Sequence, residues 1–492
     1  MKPILFIFFP AILLIVSCSD YSLQDKDPAA FIIPSYKAKE DFGLFREILE
    51  KAHPSLYSYQ SRKKSDNIFD SIAGTITKGI TYRDFYNKLF FVTNETGCSH
   101  SVVALPQHVS DSLFSRNLFF PVPVLWVEGK LLINYSGIDL PVGTEIVKIN
   151  GLAASAVLDS LLLYNPVEGF HRESQKYMAS AAFGFEYFMK FGGCTNFNIV
   201  IKDTTGNIKT VFLRGINYEN LSYRQENRYY TDPTDVKYSL LIDDSLKKAT
   251  LRLTTFEFEP PNQQIAFEAF LKNSFELLSK KADIKTLVID LRENGGGFLR
   301  YCFLLNSYLS AVPFAEYSEV FSRVKSVPYA KYLSDQFTAD DLEFVNAKLD
   351  EEFEKTRYPV QQLKDTAVKV WIPDQFRFKG MVYIITNWHV NSAASYFAHL
   401  ARKTANAKVV GMETAGGTHS GNGFKTIRYR LPATGLQFEF PFAKMIYTSG
   451  DKKTGRGMIP DYIVPDSYGS FNNNEDRQQL FINDSLLKKN RR

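Results

Sequence analysis

The sequence predicts an α/β protein built on a largely parallel sheet, and three observations carry that expectation. From about Tyr238 onward, strand-length apolar runs alternate with longer helical stretches, the order that joins parallel strands through crossover helices. One of these runs, Leu287-Val288-Ile289-Asp290-Leu291, is apolar and β-branched without alternation, as a strand buried on both faces is. It leads directly into Arg292-Glu293-Asn294-Gly295-Gly296-Gly297, and ligand sites in open α/β sheets gather at such carboxyl strand ends. A glycine triplet taken alone is equally a flexible strand-to-helix turn.

The chain opens with Lys2 and an apolar stretch from Pro3 to Val16. That stretch is shorter than the roughly 20 residues a membrane-spanning helix needs and suits the core of a signal peptide. It ends in Ile15-Val16-Ser17-Cys18, which resembles a bacterial lipobox, so Cys18 is the expected lipid anchor and residues 1–18 the lipoprotein signal peptide. Residues 19–35 read as a polar tether. The mature chain is then exported and lipid-anchored in the bacterial cell envelope, on the periplasmic face or the cell surface.

Residues 36–120 read as an N-terminal helical cap. Asp41, Leu44, Ile48 and Leu49 recur at helical spacing, and His53-Pro54 ends that helix because the residue before proline is driven out of the α region. A second helix is expected from Tyr82 to Val92. The small-residue loop Gly97-Cys98-Ser99-His100-Ser101 then enters a strand, Val102 to Leu105. Residues 121–215 are rich in short strands, Leu131 to Asn134 and Glu145 to Asn150 among them, with turns at Pro141-Val142-Gly143 and Asn150-Gly151 and a helix from Ala153 to Leu163. The phrase from Val142 to Gly151 resembles the carboxylate-loop-to-strand stretch of PDZ-like domains, which capture an extended peptide on a sheet edge.

Residues 216–470 hold the core, with strands at Ala249 to Leu253, Thr286 to Leu291, Met381 to Thr386 and Val409 to Gly411, and helices including Gln264 to Lys280 and Ala393 to Thr404. Within it, residues 310–378 form a charged insertion, helical at Asp340 to Glu354, that suits a lid or wall and equally a solvated hairpin with no role. Residues 471–492 read as a polar C-terminal tail.

Composition narrows the functions. Hydrophobic residues are 45% and charged residues 23% of 492, an ordinary globular balance. The net charge of +5 is spread with both signs interspersed, and no basic block or aromatic-basic ladder points to nucleic acid as a partner. Beyond Cys18, an odd set of cysteines, Cys98, Cys194 and Cys302, makes no disulfide framework. No Cys-x-x-Cys or His-Glu-x-x-His spacing occurs, so no metal and no cofactor is expected. No motif speaks to oligomeric state.

A second strand end carries a candidate group. After Met381 to Thr386, a short turn leads to Ser392-Ala393-Ala394-Ser395 at the start of a helix. A serine there is ordinarily an N-cap, worth about 1 kcal/mol. It also lies near free backbone amides and the positive end of the helix dipole. Acyl transfer needs a nucleophile, a base and donors for an oxyanion. Ser392 can be the first, and the amides of Ala393 and of a triplet glycine, Gly296, the last. The base must be a histidine, lysine or carboxylate from elsewhere.

Four motifs in order now make a resemblance. Asp290-Leu291-Arg292-x-Asn294-Gly295-Gly296-Gly297, Thr386-Asn387 followed by Ser392-Ala393-Ala394, Gly411-x-x-Thr414-x-Gly416-Gly417 and Gly457-Met458-Ile459-Pro460-Asp461 resemble the C-terminal processing, or tail-specific, serine peptidase family. The cap with His53-Pro54-x-Leu56-Tyr57 and the PDZ-like phrase resemble its exported bacterial members. The resemblance implies a crotonase-like ββα superhelix core and cleavage of peptides or unfolded protein chains. In one branch a lysine follows the third motif, but this sequence has Gly417 there and no Ser-Lys dyad follows. In the tricorn-like branch the base is a histidine from an earlier segment, which matches His100 within Gly97-Cys98-Ser99-His100-Ser101. By that resemblance His100 is the base and Ser99 its support, with Glu413, Glu439 and Asp451 as candidates for a further polar partner. His389 and His419 lie near the motifs, whereas His53, His108, His171 and His399 read as solvated surface groups. Family members often carry an acidic residue where this chain has Ser395, a departure that fits either a lost helix-terminal charge or a relaxed site. The competing reading is a catalytically inactive peptide-binding lipoprotein on the same scaffold; acyl-CoA chemistry, which the crotonase-like fold also serves, is disfavoured by export.

Overall fold

The computed structural model describes residues 31–225, 236–356, 361–448 and 455–487. Cys18, the signal peptide, most of the tether and Asp451 lie outside the described residues. The fold is mixed α/β with several sheets. The core sheet runs, side by side, Tyr238–Asp243, Lys248–Leu253, Thr286–Asp290, Met381–Thr386, Lys408–Gly411 and Tyr462–Ile463. Only the first pair is antiparallel. Helices Pro261–Lys280, Leu299–Ser307 and Ser392–Thr404 make the crossovers, which is why parallel neighbours follow from the strand-helix alternation.

Every residue of Thr286–Asp290 is buried. Leu287 and Ile289 face the main core, while Val288 joins Tyr383, Ile385, Val410, Ile482 and Leu487 on the opposite face. That second layer corrects the expectation of a polar C-terminal tail, since Ile482 and Leu487 cover the sheet. The same segment anchors the glycine loop. Arg292, 3% exposed, donates to Asp290 through Nε at 2.9 Å and to Asp476 and Gln478 through Nη1 at 2.7 and 2.9 Å. A buried guanidinium needs such a full set of acceptors, so the Asp-Leu-Arg motif fixes the strand end rather than doing chemistry.

A second sheet is antiparallel and built on the hairpin Ser420–Arg430 and Gln437–Ile446. Its strands carry glycines and charges that mask them in the sequence. The insertion supplies neighbours here: Glu319–Ser322 pairs with Gln437–Ile446, and Gln361–Leu363 and Phe353–Lys355 follow outward. It is therefore stitched into the fold, with a helix at Ala339–Glu351. Farther along the same edge of that strand Val102–Ala104 pairs with residues 437–439, which sets the loop before it. The cap helix Ser35–Ala52 packs over this sheet, with Phe45 against Phe438 at 4.8 Å between ring centroids. Asp41 is wholly buried and accepts from the Ala433 and Thr434 amides at 3.0 and 2.8 Å.

The third sheet, Val124–Val127, Lys130–Ile133, Glu145–Ile149, Asn196–Lys202 and Ile208–Arg214, is antiparallel throughout. Strict alternation along Asn196–Lys202 buries Phe197, Ile199 and Ile201. Among the described residues no helix is long and apolar enough to cross a membrane.

The surface reading of three histidines is corrected. His53, His171 and His399 are buried, and only His108 of that group is exposed. Neutral imidazole is tolerated inside when its polar atoms are met: His53 Nδ1 accepts from the Ser55 amide at 3.0 Å, which leaves Nε2–H to donate to Ser101 Oγ at 2.8 Å. His171 Nε2 donates to the Ala415 carbonyl at 3.2 Å, and His399 lies against Tyr396 and Tyr447. Burial holds His53 at about 3 and His100 at about 4. The folded state therefore binds fewer protons than the unfolded chain below pH 6.5, and stability that is fully present above 6.5 is lost as pH falls through about 4 for His100 and about 3 for His53. At about 1.4 kcal/mol per unit, His53→Gln is expected to flatten the acid side of a Tm-against-pH curve relative to wild type.

Candidate active site

Thr286–Asp290 and Met381–Thr386 are parallel neighbours in register, Asp290 opposite Ile385, so the loops leaving their carboxyl ends lie side by side. The topology thus brings the glycine triplet to the start of the helix Ser392–Thr404. Asn294 shapes the junction. Its Oδ1 accepts from the Gly296 amide at 3.0 Å and its carbonyl accepts from Asn391 N at 3.4 Å.

Ser392 is not the N-cap. Asn391 holds that position and its side chain accepts from the Ser392 amide at 2.8 Å. Ser392 itself sits at φ 48°, in the left-handed region that costs a non-glycine residue about 1–2 kcal/mol. Its hydroxyl, freed from capping and partly exposed, lies 3.0 Å from His100 Nε2. Ser99 Oγ lies 3.1 Å from His100 Nδ1. For Nε2 to accept the Ser392 proton, Nδ1 must carry its own and donate to Ser99. Burial keeps the imidazole neutral, holding its pKa at about 4, so it is available as a base throughout the physiological range.

Gly296 adopts φ 115°, and a Cβ there would stand 2.6 Å from Ser392 Cβ and 3.1 Å from Ala393 N. No other residue fits. Its carbonyl accepts from Phe256 N at 2.8 Å. The amide expected to serve an oxyanion is already bonded to Asn294, so it must share or release that bond. The Ala393 amide, in the first helical turn, meets no acceptor among the described residues.

Ser395 is wholly buried, 2.9 Å from Thr414 Oγ1 and donating to the Gly416 carbonyl at 3.0 Å. An acidic side chain would face that carbonyl, so a hydroxyl suits this particular packing. Glu413 is held by other partners. Its carboxylate accepts from Arg456 Nε at 2.9 Å and from the Gly457 amide at 2.8 Å, and stands 4.0 Å from His171. Arg456 pulls its pKa below the usual carboxylate range against the opposing effect of burial, the larger of the individual influences. Glu439 pairs with Arg428. His389 lies beside Gly295, and the His419 carbonyl accepts from Tyr447 N.

Sequence reasoning missed Glu168. It is 1% exposed and accepts from Tyr59 Oη at 3.0 Å and Asn422 Nδ2 at 3.1 Å. Nothing marks a lone glutamate in a strand-rich stretch as buried; its flanks, Val167 and Gly169, are the only hint. Its side chain also closes position 417, where a Cβ would stand 2.7 Å from Glu168 Cγ and 2.6 Å from the Ser420 carbonyl. A lysine has no room there. Gly417→Lys is expected to destabilise the fold by about 1–3 kcal/mol, read as a lowered denaturation midpoint, without creating a new base.

Residues 247–464 match the sequence profile of Peptidase family S41. No curated protein matches the chain. Among solved structures, mature CPAF is similar at 13% identity with a TM-score of 0.62, over 93% of this chain and 98% of that one. Mature CPAF complexed with lactacystin is similar at 13% identity with a TM-score of 0.56, over 92% and 97%. At that identity the likeness is one of fold.

Proposed function

Residues 247–464 belong to peptidase family S41, the family the motifs resemble, and from that premise we propose that this serine peptidase cleaves peptides or unfolded protein chains with Ser392 as nucleophile and His100 as general base. The observation that carries the reading is the 3.0 Å pair His100 Nε2 and Ser392 Oγ, joined across 292 positions of sequence. Ser392 Oγ attacks the scissile carbonyl as its proton passes to His100 Nε2. The imidazolium is held through Nδ1–H to Ser99 Oγ. The tetrahedral oxyanion takes the open Ala393 amide, and that of Gly296 once Asn294 gives way. His100 then protonates the leaving amine, and water repeats the cycle on the acyl-enzyme.

In this reading the core is crotonase-like. The antiparallel module of residues 121–215 is PDZ-like and presents extended chain to the site, and Cys18 carries a lipid that holds the exported protein in the cell envelope. A second reading, a non-catalytic peptide binder on the same scaffold, is favoured by one observation: the Gly296 amide is engaged at rest. A comparison of newly formed protein termini between cells bearing wild type and Ser392→Ala decides between them. Termini lost in the variant support the peptidase; identical terminomes support the binder.

A further inference from the structure

Glu168 and its neighbour sit between the two halves of the proposed catalytic pair. The Gly169 amide donates to the Gly97 carbonyl at 2.9 Å, on the loop that carries Ser99 and His100. The Glu168 amide donates to the Ala415 carbonyl at 3.2 Å, and the Ala415 amide donates to Val390 at 2.9 Å, two residues before Ser392. Three backbone bonds thus tie the histidine loop to the serine loop through residues 168 and 169. The Glu168 side chain reinforces the tie. Tyr59 Oη from the cap and Asn422 Nδ2 from the second sheet donate to its carboxylate, and the Ser99 amide lies close enough to favour its charge. Ser55 Oγ donates to Asn422 Oδ1 and so fixes which end of that amide faces Glu168.

We propose that Glu168 is a positioning residue of the reaction: with Gly169 it clamps the loop bearing His100 to the loop preceding Ser392 and holds imidazole and hydroxyl in register. This rests on the Ser392–His100 reading. The Asn422 amide nitrogen can only donate and the Tyr59 hydroxyl donates in this arrangement, so the ionised form is the one the site matches, and a proton on Glu168 would require the Tyr59 hydroxyl to turn from donor to acceptor. Around it stand Tyr59 from the cap, Cys98 on the histidine loop, and Lys444 and Tyr447 at the end of the strand Gln437–Ile446. Burial keeps Tyr59, Cys98 and Tyr447 neutral, leaving Lys444 as the cation that favours the carboxylate. Burial nevertheless lifts Glu168 to about 7, while His100 stays at about 4. The clamp therefore tightens as pH rises through 7, where the base itself no longer titrates.

The test needs no substrate. An alkyl fluorophosphonate forms a Ser392 Oγ–P bond, expels fluoride and passes the serine proton to His100, and its rate is followed from pH 5 to 9 on the full chain. Wild type is expected to show a rise centred near pH 7. Glu168→Gln is expected to label about 100-fold more slowly at pH 8 and to lack that rise. A Glu168→Gln protein with the wild-type rate and the same rise overturns the clamp, as does a wild-type profile flat across pH 7. If Glu168→Gln does not fold by circular dichroism, Tyr59→Phe decides. Loss of one donor to the carboxylate moves the rise to higher pH if the clamp is real, and an unmoved rise overturns it. A folded wild type that takes no label at Ser392 overturns the catalytic reading itself, an outcome distinct from one in which wild type and Glu168→Gln label equally.

Discussion

Ser392→Ala is expected to lower peptide hydrolysis by on the order of 10⁵-fold or more while leaving the protein folded. On the proposed mechanism the reaction loses its attacking atom at the junction of the two strand ends, and what remains is the contribution of bound, oriented substrate and the amides of Ala393 and Gly296. The fold has reason to survive. Ser392 Oγ caps nothing, since Asn391 does that work, and among the described residues its hydrogen bond is to His100. Alanine still has to hold φ 48°, a cost of about 1–2 kcal/mol that serine already bears. The measurement is the initial rate on an unfolded protein substrate, with a thermal melt beside it. A variant that cleaves at the wild-type rate would remove Ser392 from the mechanism.

His100→Gln is expected to cost on the order of 10⁴-fold, read in the same assay. Glutamine can reach Ser392 but cannot take up its proton near neutral pH, so attack would have to proceed from an unassisted hydroxyl. The pair acts as a unit, which gives a sharper expectation: Ser392→Ala combined with His100→Gln should be no slower than Ser392→Ala alone, because the base has nothing left to serve once the hydroxyl is gone. Losses that simply add would mean that His100 works through some other route.

Much of the core was legible because its signals are local. Thr286–Asp290 and Met381–Thr386 are apolar runs of strand length, and His53-Pro54 and Asn150-Gly151 are backbone punctuation that does not depend on distant partners. The hairpin Ser420–Arg430 and Gln437–Ile446 was not legible. Its pairing partners come from residues 102–104 and 319–322, and its mixture of glycine, lysine and aromatic residues declares neither period. At the site, motif order singled out Ser392, His100 and the glycine triplet, which the fold brings together, whereas Glu168 and the burial of His53 were not legible. Both belong to a polar cluster assembled from the cap, the histidine loop and the second sheet, and burial of a polar residue is a property of the assembled fold that no local pattern records. The same limit applies to Glu413, whose nearness in sequence to Thr414 suggested the site while Arg456 and Gly457 claim its carboxylate.

The central claim, that Ser392 is a nucleophile activated by His100, is tested most directly by the intact mass of the folded protein after incubation with a fluorophosphonate at pH 8. Wild type is expected to gain a single adduct that peptide mapping locates on Ser392, with Ser392→Ala gaining none and His100→Gln gaining it far more slowly. No adduct on folded wild type, or an adduct that persists undiminished in Ser392→Ala, contradicts the claim.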